Sequence, residues 1–165
     1  MKFALLLLAS LVVCADALPQ HQPTKPQNCE SDISILDAAS RKAGEDGLII
    51  AIARLGNGER ERKLNRRRLH NVRVYLTEWN GRRDPKTVVT AEGERVNGYG
   101  GIELYVGGRL FHILLARPNS DLIVGSCTYE INSPSEQQRE NNLYPWLDRF
   151  QRKRKRDILN GRGDR

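Results

Sequence analysis

Residues 48–76 read "LIIAIARLGNGERERKLNRRRLHNVRVYL", and the change of rhythm inside this stretch decides the fold. Its first part, "LIIAIARLG", is a continuous apolar run ended by glycine, the pattern of a strand buried on both faces. "NGERERKLN" then turns the chain into a helix. At about 100° per residue, Leu64, Leu69, Val72, Tyr75, Leu76 and, a little further on, Trp79 share one face of that helix. Arg66, Arg67, His70 and Arg73 point elsewhere. Asn65 and Arg68 break the pattern, because both fall inside the apolar stripe.

Upstream, "SDISILDAASRKAGEDG" forms a shorter helix with Ser31 as N-cap candidate, Ile33, Leu36 and Ala39 as its apolar face, and Gly44 or Gly47 as its stop. Downstream, "RRDPKTVVTAEGE" holds a short strand around Val88–Ala91, which Pro85 keeps from starting earlier. "GIELYVGGRLFHILLA" gives two strands joined at Gly107-Gly108, a two-residue hairpin signal because glycine accepts positive φ at both central positions. "RPNS" makes a further turn into the strand-like "DLIVGSCTYE". A strand–helix–strand unit with a right-handed crossover implies parallel neighbours, and the later strands must extend the same sheet. The predicted fold class is α/β (α+β): a two-layer sandwich whose mixed sheet has a βαβ unit followed by an antiparallel meander, with helices on one face. No internal repeat is visible.

The flanks bound the domain. Residues 1–17, "MKFALLLLASLVVCADA", have the layout of a cleaved secretory signal: one Lys, an apolar run from Phe3 to Val13, and an Ala15-Asp16-Ala17 cleavage site. The run is too short to span a bilayer. Val13 stands where a lipoprotein signal needs a small residue, which disfavours lipidation at Cys14. Residues 18–28 form a Pro- and Gln-rich linker. The domain runs from Cys29 to about Thr128, and residues 129–165 form a polar, then basic, tail.

Past the signal, two cysteines remain, Cys29 and Cys127. In an oxidising compartment two thiols pair more often than they stay free, and closing so long a loop stabilises by roughly 4 kcal/mol under the chain-entropy model. A catalytic thiol would need a His-backed setting that the sequence does not locate. The net charge of +7 favours anionic surfaces without choosing among wall polymers, lipid headgroups and nucleic acid.

Catalytic signals are weak. His21 lies in the linker, His70 on the outward side of its helix, and His112 between apolar residues of a hairpin strand. There is no His-Glu-x-x-His, no Cys-x-x-Cys and no clustered ligand set, so neither metal nor cofactor is expected. Gly56 and Gly58 imitate a dinucleotide fingerprint, but Glu61 holds the place of the third glycine, and Glu59 and Glu61 repel phosphate. Both glutamates are better placed as partners of the positive helix terminus. The basic run Arg152, Lys153, Arg154, Lys155 and Arg156 could hold acidic lipid, polysaccharide or nucleic acid by charge, or simply be solvated. Trp146, Leu147 and Phe150 before it suit a peripheral headgroup contact. "RGD" at Arg162–Asp164 needs no functional account in a tail so rich in these residues.

The segment 48–76, followed by "TVVTAEGERV" and "GGIELYV", resembles the OmpA-like C-terminal domain, a peptidoglycan-associating module of bacterial envelopes. Leu64, Asn65, Arg68, Leu69, Val72, Tyr75 and Leu76 fall at that family's helix positions, Glu92-Gly93-Glu94 resembles its turn, and Ile102-Glu103 the start of its last strand. The likeness covers roughly Leu48 to Val106. It implies that Arg68 recognises a carboxylate of the wall peptide, beside Arg54 and Asn65. The strand-end aspartate of the family is replaced by Ala53 or Arg54, and its Arg-Arg pair by Gly100-Gly101. Arg68 can instead pair inside the domain, with Glu92, Glu94 or Glu103. The functional expectation is an exported, non-catalytic, envelope-associated protein of the periplasm, cell envelope or extracellular space, binding an anionic wall or surface component. The alternative is a secreted scaffold whose basic tail binds by charge; no specific nucleic acid is expected.

Overall fold

A computed structural model describes residues 22–79, 83–122, 127 and 134–145. The elements run α1 (Cys29–Ala43), β1 (Ile49–Arg54), α2 (Arg62–Val74), a π-helical turn (Tyr75–Trp79), a 3-10 turn (Pro85–Thr87), β2 (Val88–Glu92), β3 (Gly101–Val106), β4 (Arg109–Leu115) and α3 (Pro134–Leu143). The sheet order is β2-β1-β3-β4, with β1 parallel to β2 and antiparallel to β3, and β4 antiparallel to β3. The chain is thus an α+β fold with a βαβ unit and a meander, as its periodicities foretell.

Local chemistry sets the element ends. The N-cap of α1 is Asn28, not Ser31: the Asn28 side chain accepts the Ser31 N–H at 2.9 Å, so Ser31 lies inside the first turn. Glu30 at one end of α1 and Arg41 and Lys42 at the other complement its dipole. Gly44 stops the helix with φ 69°, a conformation glycine takes at no steric cost. Just beyond, the buried Arg83 donates to the carbonyls of Ser40, Gly44, Glu45 and Gly47, gathering the end of α1 and its loop around one guanidinium. At the hairpin, Gly107 and Gly108 have φ 59° and 74°, the pair of positive values such a turn requires.

The core lies between the sheet and the helices. Leu36 and Ala39 of α1 and Leu69, Val72, Tyr75 and Leu76 of α2 and its π-turn meet Ile49, Ala51 and Ala53 of β1, with Ile102, Leu104 and Leu114 beside them. Only alternate strand positions take part, as a two-residue period demands. The continuous apolar run of β1 leads one to expect cover on both faces; among the described residues one face is covered, and Ile50 and Ile52 on the other are half-buried.

Cys29 and Cys127 form a disulfide across a sequence separation of 98, which holds the chain after β4 against the start of α1. A loop of that length constrains the unfolded chain by about 4–5 kcal/mol in the entropy model. Of the run "DLIVGSCTYE", Asp121, Leu122 and Cys127 are described and lie outside any strand; the rest lies outside the described residues, as do residues 1–21, the basic run Arg152–Arg156 and the RGD tripeptide.

Candidate functional site

A guanidinium inside an apolar stripe must find an acid or lose more solvation than it regains. Arg68, with no exposed surface, finds Glu59, which is equally buried. Nη2 of Arg68 donates to Glu59 Oε1 at 2.6 Å and Nη1 to Oε2 at 3.0 Å, a two-point pairing. Nε and Nη2 also donate to the Ser120 carbonyl at 3.0 and 2.8 Å. The carboxylate receives two more donors, the backbone N–H groups of Gly56 at 2.8 Å and Asn119 at 3.0 Å. Burial pushes the Glu59 carboxyl upward, but the Arg68 and backbone hydrogen bonds outweigh it, and the net direction is down.

Three loops therefore converge on one ion pair: the β1–α2 loop through Gly56 and Glu59, the β2–β3 loop through Gly100, and the segment after β4 through Asn119 and Ser120. Gly100 is part of the seal, because a Cβ there would stand 2.2 Å from Glu59 Oε2. Around the pair, Arg67 donates to Asp121 at 2.8 Å and to Glu61 at 3.3 Å, and Asn71 donates to the Leu122 carbonyl at 2.5 Å. Arg67, Arg68 and Asn71 of α2, with Glu59 ahead of it, hold residues 119–122.

This geometry corrects the expected site. Arg68 does not meet Glu92, Glu94 or Glu103, and it does not face a groove. Glu92 pairs with Arg66 at 3.2 Å, the Glu94 carbonyl accepts from Arg54, and Glu103 pairs with Arg54 at 2.8 Å. Glu59 is no helix-terminus partner but the internal counter-charge. Asn65 is buried and donates to the Ala53 carbonyl at 3.3 Å. Arg54 follows Ala53 on β1 and therefore projects from the opposite side of the sheet. Arg54, Asn65 and Arg68 are not brought to one binding surface. A signal for the true partner did exist: a buried guanidinium needs a carboxylate, and Glu59, nine residues upstream, lies in the strand-to-helix loop that leads into the same helix.

The outward face of α2 is of a different kind. Lys63, Arg66, His70 and Arg73 are all exposed, at spacings of three and four residues, and α2 contains no acidic residue. The Arg66–Glu92 pair is an open surface contact of little weight. His70 Nε2 lies 2.8 Å from the Leu143 carbonyl of α3. The stripe is about 15 Å long at the helical rise. Beyond α3's side of it, an open depression of about 410 Å³ is lined by Glu78, Ser135, Gln138, Arg139, Asn142 and Leu143. Arg139 stacks on Trp79, its guanidinium carbon 4.9 Å from the ring centre.

His112, half-buried on β4, is lowered by burial. Among the described residues, no group of three or more His, Cys, Asp or Glu side chains could hold a metal ion, and no helix is long and apolar enough to cross a membrane. Comparison with family models, curated proteins and solved structures returns no match.

Proposed function

We propose that the chain is an exported, non-catalytic protein that associates with an anionic polymer of the cell envelope by surface charge rather than through a pocket. The observation that carries this reading is the exposed stripe Lys63, Arg66, His70 and Arg73 on a helix without acids. A net charge of +7 and the run Arg152–Arg156 work in the same direction. The OmpA-like resemblance supports an envelope setting, while the guanidinium that would recognise the wall peptide is committed to Glu59. Charge-driven contacts with a polymer release counter-ions, so affinity falls steeply with salt.

The test is retention of the full chain on purified cell wall and on an anionic polysaccharide resin across a salt gradient. Wild-type retention should weaken by at least about tenfold between 50 and 200 mM salt. Lys63→Glu/Arg73→Glu should elute earlier than wild type, and truncation after Tyr144 measures the share of the tail. Retention that ignores salt and both helix substitutions would remove the reading.

A further inference from the structure

We propose that the loop end of the sheet, with the Tyr99 ring as its platform, binds an acidic polysaccharide. This rests on the charge-driven association proposed above and gives it a place and a ligand class. β1, β2 and β4 run in the same direction, so the loops that leave them, 55–61, 93–100 and 116–122, emerge at one end. Their backbones are bonded to one another. The Asn57 N–H donates to the Gly98 carbonyl at 2.8 Å, the Val96 N–H to Leu55 at 2.9 Å, and the Ala116 N–H to Gly100 at 2.8 Å. Beneath them lies the Arg68–Glu59 pair. Two well-packed apolar side chains would stabilise a core as well as a buried ion pair does; what this pair adds is a fixed relative position for three loops. Loops held so on a scaffold are where binding side chains concentrate.

Tyr99 is 40% exposed although its backbone is clamped: a Cβ on Gly56 would stand 2.7 Å from the Tyr99 carbonyl carbon and closer still to Gly98 and Gly100. An aromatic ring left in water on a fixed backbone offers a flat apolar face that a ligand can cover at little entropic cost. Asn57, Arg95, Asn97, Arg117 and Asn119 are exposed on the same three loops. Arg95 reaches across to the first loop, its Nη1 on the Gly56 carbonyl at 2.5 Å. Arg117 follows Ala116, whose N–H is bonded to the residue after Tyr99. Asn119 holds φ 55°, a conformation that few side chains tolerate and that its N–H bond to Glu59 keeps in place.

The chemistry of these side chains selects the ligand. Three of the acids here are engaged, Glu59 by Arg68 and both Glu61 and Asp121 by Arg67, while Glu94 is exposed. Arg60, Arg95 and Arg117, exposed on one loop each, leave the end positive. A guanidinium pairs with a carboxylate at two points. An asparagine amide carries donors and an acceptor, which suits a hydroxyl, itself both. A phosphodiester backbone has acceptors only and would leave the amide oxygens unmatched. A lipid surface asks for several apolar side chains, whereas Tyr99 is the exposed large one on these loops. The C–H face of a sugar ring fits the negative face of an aromatic ring. Carboxylate, hydroxyls and an apolar ring face together describe a hexuronic acid unit.

Titration of the full chain with hexuronate oligomers and with inorganic polyphosphate of equal charge tests this. Tyr99→Ala and Arg117→Gln should each weaken hexuronate binding about tenfold. The melting temperature should not move, since both side chains are exposed. Tyr99→Phe should bind hexuronate like wild type, and polyphosphate should not distinguish wild type from either Tyr99 variant. Hexuronate binding indifferent to Tyr99→Ala overturns the proposal and leaves the charge-driven association standing. So does a wild type that binds polyphosphate alone. A wild type that binds neither polymer removes both readings. A single-stranded oligonucleotide of equal charge that binds more tightly than hexuronate, and loses affinity in Tyr99→Ala, would make the occupant a nucleic acid and overturn the assignment.

Discussion

Glu59 Oε1 lies 2.6 Å from Arg68 Nη2 with neither side chain in contact with solvent, and this one relationship turns a candidate binding residue into a structural one. Removing either partner strands a buried charge. Arg68→Ala is expected to destabilise the domain by about 3–5 kcal/mol. In a double-mutant cycle with Glu59→Gln, the two losses should be coupled by at least about 1 kcal/mol, read from urea unfolding with the disulfide intact. Strictly additive losses would mean that the pair does not act as a unit.

Two buried carboxylates should respond to pH in opposite directions. The Glu59 carboxyl is held below its usual range, so its contribution is present above the unfolded value near 4.5 and is lost as pH falls through the folded one. Burial raises Asp32 from 3.8 to about 7, and its Oδ1 accepts no hydrogen bond among the described residues. For a raised acid the folded state holds the extra proton, so stability falls as pH rises from about 4 to about 7 and is flat above. Asp32→Asn should therefore be more stable than wild type at pH 8 and indistinguishable from it near pH 4. Melting curves across this range decide the matter.

The seal over the ion pair depends on a missing side chain. A Cβ at Gly100 would stand 2.6 Å from the Gly56 nitrogen and 2.8 Å from the Arg54 carbonyl as well as against Glu59, and none of these atoms can yield. Gly100→Ala should cost about 1–3 kcal/mol. Gly93→Ala should be milder, because its nearest neighbour is the movable Arg54 Nη1 at 2.9 Å. Chemical denaturation of the two variants side by side makes the comparison.

Arg83 should resist conservative replacement. Its planar fork reaches four carbonyls from Ser40 to Gly47, which a single ammonium cannot reproduce. Arg83→Ala and Arg83→Lys should both lower stability, the former by about 1–3 kcal/mol. Hydrogen exchange should show the loss first at the end of α1.

The elements that were legible carry their own period or punctuation: the continuous apolar run of β1 ended by glycine, the helical stripe of α2, Gly107-Gly108 at the hairpin; α3 was not, because Pro134–Leu143 is a polar stretch that reads as tail. Arg68 was legible as an anomaly within the α2 stripe. Its partner was not, since Glu59 also looks like an ordinary acid near a helix start, and two of the groups that complete the site, the Asn119 N–H and the Ser120 carbonyl, are backbone atoms that no side-chain pattern announces. The separation of Arg54 from Arg68 required the register of β1: one residue's shift changes the side of the sheet, and the resemblance left that shift open.

The disulfide encloses every strand of the sheet, from Cys29 before β1 to Cys127 after β4. Oxidation thus reports on completion. A translation product that stops short of position 127 cannot close this bond and keeps Cys29 as a thiol, so in a chain from which Cys14 has been removed a maleimide probe would sort molecules that reach past β4 from those that do not, without reference to their size.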